Sequence, residues 1–320
     1  MIAGKEMERP LAQEQVKIKN SMNMRVSNIL GTLGLIIGTT VFLASCNDND
    51  MASNGTAQIQ VTDAPIDDET ISGVYLMVEE IQARGQGDTK VIATFDSPKV
   101  FNVLDYQNGA TYNLGEGKLE AGMYTELRLV LGDGSYVDFE DGNTEPLTIP
   151  SGASSGYKIN GEYQISANST TNVVVDIDLR KALVLTGQGE YMLRPTARLV
   201  TTGTSTVYGS VGLNTEDRLV VYAYAEGTYD ESEAATPADG ETRFEGSINS
   251  AVVTDGEFTL AYMQPGDYEL ILASYAYDDV EEQYVFNAAG EAELMLDGVL
   301  LDALELEAET DVDVLLNINF

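Results

Sequence analysis

Short runs in which apolar and polar residues alternate recur along most of this chain of 320 residues. The clearest runs cover residues 59–61, 74–78, 127–131, 173–179, 207–211, 258–262 and 268–272. A period of two is typical of strands that bury one face. The pattern therefore predicts an all-β protein.

Asp-Gly and Asn-Gly dipeptides separate many of these runs. They begin at residues 54, 108, 133, 141, 160, 239, 255 and 297. Such dipeptides tolerate the positive φ of tight hairpin turns, so they predict short strands joined by turns, as in β-sandwiches. No long amphipathic pattern competes, and the sequence allows one short helical turn near residues 300–306.

A small, polar stretch at residues 201–205 interrupts the strand patterns and divides them into two halves. We predict two β-sandwich domains in tandem, one at residues 57–203 and one at 204–320, in line with usual domain sizes. Residues 46–56 offer little to bury and are interpreted as a tether. Residues 228–245 are interpreted as a long acidic loop inserted in the second domain.

The N-terminal region has the pattern of an export signal. Basic residues precede an uncharged run from Ile29 to Ala44, which is too short for a comfortable membrane span. The run ends in Leu43-Ala44-Ser45-Cys46, which resembles the lipobox of bacterial lipoproteins. The resemblance implies cleavage between Ser45 and Cys46 and lipidation of the Cys46 thiol.

The predicted signal peptide is residues 1–45, with extra upstream residues if translation starts at Met22 or Met24 rather than Met1. Cys46 is the single cysteine of the chain, so it has no disulfide partner. An ordinary signal peptide or an uncleaved anchor is the alternative interpretation. The acidic tether resembles the export signals of Bacteroidetes lipoproteins, which predicts an outer-membrane lipoprotein that contacts the membrane through its lipid and faces the cell exterior.

The chain is strongly acidic, with 52 acidic and 17 basic residues and a net charge of −35. Repulsion from phosphate argues against a nucleic-acid partner, and repulsion from anionic headgroups argues against adhesion to lipid surfaces. Such a charge keeps a protein soluble and can attract divalent cations.

Residues from about 57 to 200 resemble the bacterial family catalogued as domain of unknown function 4382. The resemblance rests on the segments at residues 62–65, 121–128, 149–158, 175–178 and 189–195. It implies a β-rich fold and a surface location, and it brings no established activity. The second half resembles carboxypeptidase-regulatory-like, or prealbumin-like, domains through segments at residues 209–211, 220–224, 255–260 and 264–270.

The side chains most used in catalysis are scarce. Gly152-Ala153-Ser154-Ser155-Gly156 fits the pattern of a nucleophile elbow, but the chain has no histidine to accept the serine proton. We therefore predict a protein that is not an enzyme and has no cofactor.

Calcium is the one metal that the sequence favours. Asp63, Asp67 and Asp68 lie close together after the first predicted strand, and hard oxygen ligands suit Ca²⁺. A capped turn is the alternative interpretation. Asp138 and Asp141 belong to a second acidic cluster, for which a solvated hairpin is the preferred interpretation and calcium binding the alternative.

The predicted function is a non-catalytic binding or display module on the cell surface, with an unknown protein or glycan partner. The alternative is a carbohydrate-binding protein or a glycan-active protein that uses acidic residues. Tyrosines on predicted strands could stack on sugars, although packing is the more common role of strand tyrosines. These tyrosines are residues 222, 224, 262, 268, 275 and 277.

Overall fold

A computed structural model describes residues 53–318, except 67, 69, 86, 151–155, 214, 239, 240 and 281. Of the described residues 63% lie in strands and 5% in helices, which confirms the all-β prediction. No helix in the described part of the chain is long and apolar enough to cross a membrane.

The first half contains two sheets that share one core. Its strands are β1 (Asn54–Ala64), β2 (Ile71–Gly85), β3 (Thr89–Asn102), β4 (Tyr112–Glu120), β5 (Gly122–Leu131), β6 (Tyr136–Phe139), β7 (Thr144–Thr148), β8 (Tyr157–Ile165), β9 (Thr170–Asp178), β10 (Leu183–Leu185), β11 (Tyr191–Leu193) and β12 (Arg198–Val200). The smaller sheet has the order β12-β9-β1-β4, and the larger has the order β10-β11-β7-β6-β2-β5-β8 with β3 paired to β2. Alternate residues such as Ile59, Ile81 and Leu127 fill the space between them.

The second half also pairs two sheets around a core. Its strands are β13 (Ser205–Val211), β14 (Arg218–Ala225), β15 (Asn249–Val252), β16 (Glu257–Met263), β17 (Gly266–Asp278), β18 (Gln283–Glu291), β19 (Glu293–Leu296), β20 (Val299–Leu301), β21 (Leu304–Leu306) and β22 (Val312–Asn317). One sheet has the order β16-β13-β22-β19-β20. The other has the order β15-β14-β17-β18, with β21 paired to β17.

Within the described residues, no strand of the first half pairs with a strand of the second. The change of partners falls between β12 and β13, where the sequence is small and polar. The helical turn suggested near residues 300–306 is wrong, because β20 and β21 occupy that segment. Besides two short 3₁₀ turns at Val103–Tyr106 and Glu231–Ala234, the described helix is α1 (Leu179–Ala182).

The Asp-Gly and Asn-Gly dipeptides serve two different purposes. At residues 255–256 and 297–298 both residues have positive φ, between 51° and 81°, as tight hairpin turns require. Asn108 and Gly109 also have positive φ, but they lie in the connection between a 3₁₀ turn and β4. Asn54-Gly55 and Asn160-Gly161 instead lie inside strands. A Cβ on Gly55 would approach the Ser166 carbonyl oxygen to 2.2 Å, so this glycine permits close backbone contact rather than a turn.

The acidic loop of the second half is packed onto the outer face of the sheet that contains β14 and β17. Phe244 is fully buried there and stacks on Tyr222, with ring centroids 4.2 Å apart. Glu233 accepts hydrogen bonds from the Tyr224 hydroxyl and the Gly246 amide, both at 2.8 Å. The loop therefore forms a cover over this sheet, and two of its anchors are an aromatic ring and a carboxylate.

Replacing Phe244 by alanine should remove the main apolar contact of this cover. We expect the free energy of unfolding to fall by about 3–5 kcal/mol, the usual cost of deleting a buried aromatic side chain. Denaturant titration would measure it, with Val280→Ala as the matched control because Val280 is 90% exposed. Equal stability of the two variants would show that Phe244 does not anchor the cover to the sheet.

Candidate functional site

Charged and polar side chains form a hydrogen-bond network where the two halves meet. Its central residue is Arg180, which belongs to α1. Asp178 ends β9 and caps α1, accepting a hydrogen bond from the Lys181 amide at 3.4 Å. The cap starts a single turn that directs Arg180 into the second half. This site is built on the end of a strand of the first sandwich, so a rigid element holds it in place.

The Arg180 side chain is buried, with 1% of its surface exposed. Its Nη1 donates to the carbonyl oxygens of Arg243 and Phe244, and its Nη2 donates to the Ser247 hydroxyl at 2.7 Å. The guanidinium also lies over the Tyr222 ring, 5.0 Å from its centroid. The first half thus inserts one cation into the cover of the second half.

Further contacts between the halves surround this insertion. Lys181 donates from Nζ to the Ser247 carbonyl oxygen. In the opposite direction, Arg218 of β14 donates from Nη2 to the Ile66 carbonyl oxygen at 2.8 Å. The Tyr262 hydroxyl donates to the Gly109 carbonyl oxygen at 3.3 Å, and Tyr262 holds a φ of 58°, which is unusual for a bulky residue.

A small polar cavity of about 10 Å³ lies at the same junction. Its lining includes Thr62, Asp63 and Asp176 of the first half, and Asn249, Ser250 and Tyr262 of the second. Asp63 is 6% exposed and Ser250 is 4% exposed. Asp63 Oδ2 and Ser250 Oγ are buried without a hydrogen-bond partner of acceptable geometry among the described residues.

The electrostatics of Asp63 are unfavourable for a charged carboxylate. Burial raises its pKa well above the usual value, and the nearby Asp178 and Asp176 raise it further. The Leu179 amide, which donates to Asp63 Oδ1 at 3.1 Å, lowers the pKa in part, as does the neighbouring Gln107 side chain. Burial dominates, so folding disfavours the ionised form.

The other two carboxylates near Asp63 have cationic partners. Arg198 donates from Nε to Asp176 Oδ2 at 2.6 Å, which partly offsets the rise that burial causes in the Asp176 pKa. Asp178 lies 3.8 Å from Arg180 Nη2 and 3.4 Å from Lys181 Nζ. Among these three carboxylates, Asp63 is the one for which the described residues show no ion pair.

The predicted calcium ligands do not share one environment. Asp63 accepts from Leu179 at the junction, whereas Asp68 is exposed and accepts from the Thr70 amide and hydroxyl. Asp67 lies outside the described residues, so the set of Asp63, Asp67 and Asp68 stays a prediction. In the described residues no group of three or more acidic, histidine or cysteine side chains is arranged to hold a metal.

The remaining sequence-based candidates have separate outcomes. Ser45 and Cys46 lie outside the described residues, as does most of the Gly152–Gly156 motif, so lipidation and cleavage stay predictions. In the second acidic cluster, Asp141 accepts from the amide and side chain of Asn143, which is the arrangement of a capped hairpin.

Four of the candidate sugar-stacking tyrosines are packing residues. Those at positions 222, 224, 268 and 275 are at most 5% exposed. Tyr277 is 53% exposed and forms an edge contact with Tyr284, with ring centroids 5.3 Å apart. This pair belongs to the hairpin between β17 and β18, and Tyr284 also packs against the cluster that contains Phe244.

Sequence reasoning missed Arg180, Arg243 and Ser247, because contacts between distant segments leave no local periodic pattern. One signal was available. Residues 204–320 hold 26 acidic side chains and two basic ones, Arg218 and Arg243. Both arginines take part in the junction or its cover, so the scarcity of cations in this half marked them as structural.

Chemically, this arrangement joins two sandwiches and leaves space for one small ligand between them. The cations of the junction are used as hydrogen-bond donors, and the aromatic rings beside them are buried. The connection combines buried hydrogen bonds with this small polar cavity. Two more open pockets flank it, one of about 210 Å³ beside Arg180 and Glu241 and one of about 460 Å³ beside Ile66 and Arg218.

Substitution of Arg180 by methionine should keep the apolar stem and remove the guanidinium. We expect a loss of about 2–5 kcal/mol of unfolding free energy, because buried carbonyl oxygens lose their charged donor. Denaturant unfolding, with proteolysis at residues 201–204 as a second readout, would test it against Arg84→Met, whose side chain is exposed. Wild-type stability in Arg180→Met would contradict the role of this residue.

Asp63→Asn should make the protein more stable than wild type in metal-free buffer at neutral pH. The folded-state pKa is raised, so the stability contributed by Asp63 is fully present below its unfolded pKa and is lost as pH rises through the folded pKa. The advantage of the asparagine variant should therefore shrink as pH falls towards 4. Melting temperatures across pH 4–8 would measure this, and a gap that is independent of pH would contradict it.

Comparison with known proteins adds a family for the first half. Residues 54–195 match the model of the family described as domain of unknown function (DUF4382), which confirms the resemblance predicted for this region. The matched region extends from β1 to just beyond β11 and includes Asp63 and Arg180. No curated protein matches the chain.

Solved structures similar to the chain include three pilins. The major pilin subunit of Bacillus cereus is 8% identical with a TM-score of 0.19, and the alignment covers 83% of this chain and 69% of that one. A shaft pilin from Lactobacillus rhamnosus GG is 9% identical with a TM-score of 0.20, covering 83% and 98%. The minor pilin of Streptococcus agalactiae is 9% identical with a TM-score of 0.17, covering 82% and 95%. These TM-scores are too low to transfer any property from the pilins to this chain.

Proposed function

We propose that this protein is a lipid-anchored, non-catalytic binding or display module of the bacterial cell surface. The observation that carries the proposal is the junction, in which a buried arginine of one sandwich is bonded into the other. A connection of this kind restricts motion between the halves. A restrained pair of sandwiches on a short tether suits the task of holding a binding surface at a defined distance from a membrane.

The lipid anchor rests on the Leu43-Ala44-Ser45-Cys46 motif. Cleavage before Cys46 would leave residues 46–53 ahead of β1, because residues 54–56 of the predicted tether belong to that strand, which begins at Asn54. More than one acyl chain on the new N-terminus would give stable attachment, since a single chain binds membranes only marginally. The net charge of −35 supports a role in solvent rather than flat against an anionic lipid surface.

The anchor is tested by replacing Cys46 with alanine. Cells grown with labelled fatty acid should label the wild-type protein and leave Cys46→Ala unlabelled, because the variant has no thiol to acylate. Protease added to intact cells should degrade the wild type if it faces outward. Labelled Cys46→Ala protein would overturn the anchor, and protection from protease would overturn the exterior location alone.

Glycan binding is the second candidate, and one observation favours it. The exposed Tyr277 ring beside Tyr284 offers an aromatic surface on a hairpin that also carries acidic residues able to accept hydrogen bonds from sugar hydroxyls. Binding to a glycan panel that is lost in Tyr277→Ala and kept in Tyr208→Ala would support this candidate. Tyr208 is a suitable control because it is 48% exposed.

The proposed similarity of the second half to carboxypeptidase-regulatory-like domains concerns residues 204–320, which the family match does not reach. Its two-sheet architecture supports the proposal at the level of fold class. In this proposal the second sandwich acts as a spacer or docking unit, covered on one sheet by its acidic loop.

A further inference from the structure

The small cavity between the halves has the properties of a ligand site that is complete only when both sandwiches are in place. Two buried polar atoms, Asp63 Oδ2 and Ser250 Oγ, are without described hydrogen-bond partners and belong to residues that line it from opposite halves. Leaving such atoms without a partner costs free energy comparable to a lost hydrogen bond or more. A bound species that contacts both atoms would remove this cost.

The size of the cavity limits what can bind. A volume of about 10 Å³ accommodates one water molecule or one monatomic ion and excludes any organic ligand. The site shares Asp63 with the predicted calcium set and does not include Asp68, which is exposed and bonded to Thr70.

The charge balance distinguishes between water and an ion. Asp176 is paired with Arg198, and Asp178 lies beside Arg180 and Lys181. In its ionised form Asp63 would add a buried negative charge without an ion-pair partner among the described residues, in a chain that already carries a net charge of −35. Water would satisfy hydrogen bonds and leave this charge in place, whereas a cation would neutralise it.

The donor set is made of oxygen atoms suited to a hard cation. The Thr62 hydroxyl lies 2.9 Å and 2.8 Å from the carbonyl oxygens of Tyr106 and Ala110, so its single hydrogen is shared between them or donated to one, and its lone pairs remain for a metal. A carboxylate, hydroxyl oxygens and backbone carbonyls are typical ligands of Ca²⁺ and of monovalent hard ions. Nitrogen or sulfur metal ligands of the softer kind are not provided by the side chains that line the cavity.

We propose that this cavity binds one hard metal cation, with Asp63 and Ser250 as ligands from the two halves. The cation would bridge the sandwiches beside the Arg180 insertion and strengthen their connection. Mg²⁺ should bind poorly, because it retains several waters that a cavity of this size cannot hold.

The test uses purified full-length protein in tetramethylammonium chloride, whose cation is too large for the cavity and keeps ionic strength constant. Ca²⁺, Na⁺ and Mg²⁺ are added separately. With Ca²⁺ or Na⁺ at 100 times its dissociation constant, the melting temperature of the wild type should rise by about 5–10 °C. Asp63→Asn should melt at the same temperature with and without the ion, and Asp68→Asn should respond like the wild type.

Terbium provides a second readout that does not depend on stability. Tb³⁺ occupies calcium sites, and the Tyr262 ring that lines the cavity should sensitise its luminescence. We expect a signal that saturates at one ion per chain, is displaced by Ca²⁺, and falls in both Asp63→Asn and Tyr262→Phe. Ser250→Ala should weaken Tb³⁺ binding and leave the protein folded.

Two results would overturn the proposal. Equal shifts of wild type and Asp63→Asn with every ion would mean general screening of an acidic surface. No shift with any ion, together with higher stability of Asp63→Asn, would mean that the cavity holds water beside a protonated Asp63.

Discussion

The burial of one guanidinium group is the constraint on which the arrangement of the two halves depends. Arg180 gives up its hydration, which is costly unless every lost contact is replaced. Replacement comes from carbonyl oxygens of the cover, from Ser247 and from the face of Tyr222. These groups are in place because Phe244 stacks on Tyr222 and so holds the cover against the sheet. The junction and the folding of the acidic loop are therefore coupled.

Charge shapes the structure in a way that composition alone does not reveal. The net negative charge that keeps an acidic chain soluble also causes repulsion between its carboxylates in the folded state. Here some carboxylates serve as hydrogen-bond acceptors that hold loops in place. Glu233 accepts from Tyr224 and Gly246, and Glu269 accepts from two amides at the start of the cover. Among the few cations, Arg180, Lys181 and Arg218 lie at the junction, where each bonds to a group more than 60 positions away in sequence.

The connection between the halves is relevant to the proposed binding or display role, because it limits the orientations of the two sandwiches. Two domains on a flexible linker would present their surfaces in many orientations, whereas a buried polar insertion restricts them. A small cavity with an unpaired carboxylate lies beside this insertion, so an ion or a proton at that point would alter the strength of the connection. The proposed ion site would therefore link the strength of this connection to the solution conditions.

The sequence by itself determined the fold class and most strands with one buried face. Leu127, Leu129 and Leu131 alternate and are buried as the period of two requires. Only the tertiary structure decided which residues are buried on the second face of strands β9, β14 and β17. Tyr222 and Ile271 interrupt the simple alternation because the acidic cover buries the outer side of their sheet. The roles of Asp63 and Arg180 were likewise decided there, since a buried hydrogen bond between residues more than 60 positions apart depends on packing and not on local pattern.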